Sequence, residues 1–119
     1  MHELALMESM FKVAESYREK NKLKEVTEVK VVVGELNSIL PEAFSFAFEV
    51  LKRQTPFEQA RLIIEIEEAE AICSFCGKKF RPEYPWFTCP VCQHAQAQII
   101  KGNRMYIEYL EGVKEEEEK

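Results

Sequence analysis

No apolar run in this chain approaches the roughly 18–20 residues that a membrane-spanning helix requires, so no membrane segment is expected. The first residues, Met1-His2-Glu3, lack the basic stretch and apolar run of a secretory leader, which points to a soluble, cytoplasmic protein. Glycine is scarce, at four residues, and nowhere grouped as in a phosphate-binding loop. A basic excess is missing too: 16 lysines and arginines face 21 acidic residues, for a net charge of -5. That balance disfavours partners held through bulk phosphate charge. Neither nucleic acid nor an anionic membrane is therefore expected, and no local basic patch stands out. There is no nucleophile beside a base and no carboxylate pair with a credible pocket, so the chain does not read as an enzyme.

What the chain does have is 46% hydrophobic residues in 119 positions, enough for one compact domain or a small domain carrying a smaller module. Residues 4–20 predict an amphipathic helix. Met7, Met10, Phe11, Ala14 and Tyr17 recur at three- and four-residue spacings as a core stripe, opposite Lys12, Glu15, Arg18 and Glu19. Across 26–33 the period changes to two, with Val29, Val31 and Val33 on one face and Gly34 ending the strand. Pro41 suits the first turn of a second helix reaching about Arg53, with Phe44, Ala47, Phe48 and Leu51 facing the core. After a turn at Thr55-Pro56, a strand is expected at 62–68, where Leu62, Ile64 and Ile66 alternate against Glu65 and Glu67. Another follows at 105–111, where Met105, Ile107 and Tyr109 share a face. The run from Glu115 to Lys119 reads as a solvated acidic tail.

Four cysteines in a reducing compartment favour metal binding or redox work over disulfides. Cys73-x-x-Cys76 and Cys89-x-x-Cys92 are separated by twelve residues. Each such turn lets two sulfurs converge on one ion while backbone N–H groups point at the thiolates. Two turns joined by a hairpin complete a tetrahedral sulfur shell. Gly77 follows the first knuckle, where a left-handed backbone is often required, and Pro90 stiffens the second. Phe80, Tyr84, Trp86 and Phe87 supply aromatic cover. Two matched pairs argue for one shared ion over two dithiol pairs or unligated cysteines. Zn2+ is the default, although iron suits the same four sulfurs. A closed shell has no open position, so this metal is structural and not catalytic. His94, two residues beyond Cys92, reads as an exposed histidine, or more sharply as an accessory ligand or pH-responsive neighbour.

The elements together predict an α+β fold: two helices packed on a small three-stranded sheet, with an inserted zinc-ribbon-like module. The expected division is 1–70 plus 99–113 for the α/β domain, 71–98 for the module and 114–119 for the tail. So small a module has little core of its own, and the metal compensates.

The other histidine, His2, matters for its position. A free α-amine, the amide nitrogen of residue 2 and the His2 imidazole Nδ1 can close fused chelate rings round one ion. Such an in-plane nitrogen field suits a square-planar ion, Ni2+ or Cu2+, rather than Zn2+. The Glu3 amide offers a further nitrogen, and its carboxylate is an axial or supporting candidate. The bulk of His2 is expected to discourage removal of Met1. Taken alone, a histidine at position 2 is equally a chance surface residue.

Beside the cysteines it is not alone. Met1-His2-Glu3-Leu4 opens a helix, Val33-Gly34-Glu35-Leu36-Asn37 closes the first strand, and Pro41-Glu42-Ala43-Phe44 precedes Phe46-Ala47-Phe48. With Cys73-Ser74-Phe75-Cys76 and Cys89-Pro90-Val91-Cys92, these stretches resemble the HypA/HybF hydrogenase maturation family over essentially the whole chain up to the acidic tail. The resemblance implies a nickel metallochaperone that binds transported Ni2+ at its N-terminus, through Met1, His2 and Glu3, and delivers it during [NiFe]-hydrogenase maturation. It implies structural Zn2+ on Cys73, Cys76, Cys89 and Cys92. It also implies a HypB-type GTPase and the hydrogenase large subunit as partners, with urease maturation proteins as further candidates. Gln93-His94 stands where the family leads one to expect a glycine or other small residue, and Arg104 where acidic residues are frequent. The competing functions are a zinc-ribbon adaptor or nucleic-acid-binding module without nickel transfer, and a rubredoxin-like electron carrier with iron on the four sulfurs.

Overall fold

The computed structural model describes residues 2–82, 88–93 and 97–115, and of His2 the backbone alone. The expectations for Met1, the His2 side chain, Tyr84, Trp86, Phe87, His94 and the last four residues lie outside the described residues. In chain order come α1 (His2–Lys20), β1 (Leu23–Gly34), α2 (Pro41–Leu51), β2 (Arg61–Glu67), β3 (Glu70–Cys73), β4 (Lys79–Phe80), β5 (Ala97–Lys101) and β6 (Met105–Lys114). One sheet has the order β2-β1-β6, the other β4-β3-β5. The first joins the three strands expected from the two-residue period. The chain divides into two compact units: Met1–Val32, Ile39–Glu65 and Tyr106–Lys119 form one, Val33–Ser38 and Ile66–Met105 the other.

In the first unit Met7, Met10 and Ala14 of α1 are buried with Phe44, Ala47 and Phe48 of α2 and Val26, Val29 and Val31 of β1. Phe11 packs its ring on those of Phe48 and Phe57, with centroids 6.0 and 4.8 Å apart. Tyr17 leaves the expected core stripe and is 45% exposed. It lies at the margin of the apolar face, where a phenol keeps its hydroxyl in water. Ile66 departs from expectation too and is exposed. Arg18 closes the end of α1, donating to the Leu23 carbonyl at 2.7 Å while pairing with Glu15.

β1 buries more than the expected alternate valines: Val26, Val32 and even Glu28 are buried. A carboxylate is tolerated there because both oxygens are engaged. The Tyr109 hydroxyl donates to one at 2.6 Å and Arg61 pairs with the other. Lys30, two residues on, bridges Glu65 at 2.9 Å and Glu108 at 3.3 Å. The central strand is thus tied to both edge strands by side-chain charge as well as by backbone ladder.

The second unit is organised round the Val33-Gly34-Glu35-Leu36-Asn37 stretch. Gly34 N–H donates to the Arg104 carbonyl at 2.6 Å, and Leu36 N–H to that of Gly102 at 2.8 Å. Glu35 accepts the Ala69 N–H at 2.8 Å and an Arg81 N–H at 2.6 Å. The Asn37 amide donates to the carbonyls of Gly34 and Arg104 at 3.2 and 3.1 Å. Backbone meets backbone so closely here that a Cβ on Gly34 would run into Gly102. A Cβ on Gly102, whose φ is +93°, would run into Ala69.

Two consequences are measurable. Gly102→Ala combines a left-handed backbone with a backbone clash and is expected to cost about 3 kcal/mol in denaturant titration. Tyr109's hydrogen bond, against the burial that opposes it, and Arg61 hold the Glu28 carboxyl below its ordinary 4.5. A lowered carboxylate contributes stability above the unfolded value and loses it as pH falls through the folded one. Thermal stability should therefore fall as pH drops below about 4.5, and Glu28→Gln, less stable at neutral pH, should flatten that limb of the curve.

Candidate metal centre

Cys73 ends β3, which pairs antiparallel with β4 (Ala71 with Phe80, Ile72 with Lys79) and with β5 (Ile72 with Gln98, Cys73 with Ala97). The strand delivers Cys73 to the start of a tight turn closed on both sides: Cys73 N–H donates to the Lys78 carbonyl and Gly77 N–H to the Cys73 carbonyl, each at 2.9 Å. Inside it, the N–H groups of Phe75 and Cys76 point at the Cys73 sulfur, at 3.4 and 3.5 Å. The second turn repeats the pattern. Gln93 N–H donates to the Cys89 carbonyl at 2.9 Å, and Val91 N–H points at the Cys89 sulfur at 3.4 Å. A chain reversal this tight needs a left-handed residue four positions after the first cysteine. Gly77 supplies it at φ +78° and Gln93 at φ +62°. Glycine does this without strain, whereas a residue with a Cβ is crowded there by roughly 1–2 kcal/mol.

The two turns bring all four expected ligands together. The sulfurs of Cys73, Cys76, Cys89 and Cys92 lie within 4.8 Å of one another. The Cys73–Cys92 separation is 3.4 Å and the Cys76–Cys89 separation 3.6 Å, too long for a disulfide bond of about 2.05 Å. They are close to the edge of about 3.8 Å that sulfurs 2.3 Å from a tetrahedral ion would form. Cys73 and Cys89 are buried and Cys76 is exposed.

The electrostatics suit a cation. The backbone N–H of Cys92, then that of Val91, stabilise the Cys89 thiolate and bring its pKa down to about 6. Cys73 is lowered first by the Cys76 N–H. Cys76 is raised: the Lys78 N–H favours its thiolate, but burial and the neighbouring sulfurs of Cys89 and Cys73 outweigh it. Two sulfurs are thus prepared as thiolates while a third resists ionising beside them, a conflict that a bound dication removes.

At the other expected site only the frame is described. α1 begins at His2, and the Glu3 carboxylate accepts the Leu40 N–H at 3.1 Å. This contact was not read from the sequence, although a signal exists: Leu40 stands at the N-cap of α2 before Pro41 and has no side-chain acceptor of its own. Glu3 thereby ties the start of α1 to the start of α2. His94 and Met1 lie outside the described residues.

Comparison with known proteins agrees with this arrangement. A family model described as hydrogenase/urease nickel incorporation, metallochaperone, hypA matches residues 1–112. The hydrogenase maturation factor HypA of Aquifex aeolicus is 37% identical over 111 residues, covering 93% of this chain and 96% of the relative. That of Moorella thermoacetica is 36% identical over 112 residues, covering 94% and 99%. Among solved structures, the solution structure of the Ni metallochaperone HypA from Helicobacter pylori superposes with a TM-score of 0.73 at 28% identity, covering 97% of this chain and 100% of that one. Sequence, fold and cysteine geometry thus agree, and the chain belongs to the HypA family of nickel-incorporation metallochaperones.

Proposed function

We propose that this protein carries Ni2+ at its N-terminus and delivers it during [NiFe]-hydrogenase maturation, with Zn2+ held permanently on Cys73, Cys76, Cys89 and Cys92. The observation that carries this reading is the match to the nickel-incorporation family across residues 1–112, a stretch that takes in both Met1-His2-Glu3 and the four cysteines.

The two metals divide the work by coordination chemistry. Four converging sulfurs form a closed soft shell, which favours Zn2+ and leaves no position for water or substrate. The cargo ion needs a site that can open. The Met1 amine, the His2 imidazole and the amide nitrogens of residues 2 and 3 make a planar nitrogen set suited to Ni2+. Because α1 opens at His2, the amides of its first turn have no carbonyl partner four residues back in the helix ladder, which suits them to serve as metal ligands. The Glu3 carboxylate, engaged with Leu40 N–H, holds that turn in place while the Glu3 backbone does the ligating. Transfer is then ligand exchange, with neither a bond to substrate nor an electron moved. The protein acts as a carrier rather than an enzyme, in the cytoplasm, passing Ni2+ to a HypB-type GTPase and the hydrogenase large subunit, or to urease maturation proteins.

Two titrations test the division. Calorimetry with Ni2+ should find His2→Ala weaker than wild type by more than the roughly 10–100-fold typical of losing a supporting group, with the ligand-field band of a planar complex gone. Acetylation of the α-amine should act in the same direction. Equal affinity and an unchanged spectrum in both would sink the N-terminal site. Conversely, Cys73→Ser should drop zinc from one per chain towards none while sparing nickel binding, read by elemental analysis before and after loading. A red, iron-containing wild-type protein would overturn zinc as the resident ion.

A further inference from the structure

We infer that the outer edge of β2 is a self-complementary surface on which a second copy of this chain pairs, strand against strand. The sheet order β2-β1-β6 leaves β2 hydrogen-bonded to β1 alone. Residues 61–65 of the strand belong to the first unit, and the edge they form lacks the usual protection. An edge strand is ordinarily kept from pairing with other chains by lysine or proline, or by being very short. β2 reads Arg-Leu-Ile-Ile-Glu-Ile-Glu over seven residues and has none of these devices. Its residues are exposed or half-exposed throughout, with Ile63 at 37%.

The strand's own charges select the occupant. Side chains alternate across a strand, so Arg61, Ile63 and Glu65 share one face. On that face Arg61 meets Glu28 and Glu65 meets Lys30. Consider two copies in an antiparallel pair, related by a two-fold axis at Ile63. Arg61 of each copy then lies opposite Glu65 of the other, Leu62 opposite Ile64, and Ile63 opposite itself. Every cross-strand contact is favourable: an opposite-charge pair at each end and apolar pairs between. The charged groups keep capacity for this, since the Arg61 side chain is 79% and that of Glu65 54% exposed despite their partners within the chain. The other edge, β6, offers no such match, because from Tyr106 to Lys114 it sets Glu108 and Glu111 against Lys114 alone. Pairing uses the one β2 of each copy, so it closes at the dimer rather than running on into a fibre. It does not depend on which metal either site holds, so it and the nickel reading fail separately.

Sedimentation equilibrium of the zinc-loaded full chain, from micromolar to millimolar concentration, should show monomer and dimer in exchange. Hydrogen exchange at the amides of residues 61–65 should slow as the dimer fills. Ile63→Lys sets two ammonium groups against each other at the axis while leaving the chain's own ion pairs in place. It should weaken dimerisation by more than about tenfold, with melting temperature and zinc content as in wild type. Arg61→Glu and Glu65→Arg should each be monomeric alone, since each puts like charges opposite one another at both ends of the pair. Mixed, the two should dimerise, because the facing charges of one copy are then all negative and those of the other all positive. Should Arg61→Glu fail to fold for want of its contact with Glu28, Ile63→Lys still carries the test. A wild-type chain monomeric at millimolar concentration would overturn the proposal, as would a dimer that Ile63→Lys leaves intact or one with unchanged exchange at residues 61–65. A mixture of the two folded charge variants that stays monomeric would do the same.

Discussion

Thiolates packed within 4.8 Å of one another repel unless a cation lies among them, and the second unit is built round that constraint. Among its described residues the strands are short, the buried hydrophobic ones are Val33, Ala69, Ala71, Cys73 and Cys89, and β4 has only two residues. A unit of this size would not fold on its apolar contacts alone. The backbone N–H groups aimed at Cys73 and Cys89 offset part of the repulsion in advance, and a bound dication completes the arrangement. The sulfur cluster is therefore a folding device first. Whatever the unit presents at its surface is rigid because the sulfurs hold the turns beneath it.

The first unit has a different economy. It rests on Phe44, Phe48, Phe57 and the β1 valines, and its polar contacts sit across the sheet rather than at its centre of chemistry. At the start of α1 the Glu3 carboxylate accepts the Leu40 N–H and ties that turn to the start of α2. In the function proposed above, cargo held there by backbone and terminal nitrogens is removable by a competing ligand. That proposal sets a sealed sulfur shell against an open nitrogen edge, one for each of two metals.

What could be read from the sequence were the features with local periods. Met7, Met10 and Ala14 marked α1, Val29 and Val31 marked β1, and the paired Cys-x-x-Cys spacing located every sulfur of the cluster. Hidden were the features that depend on partners far along the chain. Glu28 looks like an outward-facing strand residue until Arg61 and Tyr109 arrive from the neighbouring strands to satisfy it. Residues 33–38 read as a strand's end within the α/β domain of 1–70, yet Gly34, Glu35 and Asn37 bond to Arg104, Ala69 and Arg81, and these residues fall in the second compact unit. Tyr17 and Ile66 kept the period of a buried face and still met solvent, because period says which side a residue is on and not how far cover extends.

The two knuckles share ligand spacing, a backbone bond back to the first cysteine's carbonyl and a left-handed residue at its donor, and that residue differs in type. Gly77 rests in its left-handed conformation, while Gln93 is held in one. The four sulfurs thus hang from two turns of unequal backbone ease. The repeated spacing of the ligands hides a difference in backbone strain, borne by the Cys89–Cys92 half of the clamp.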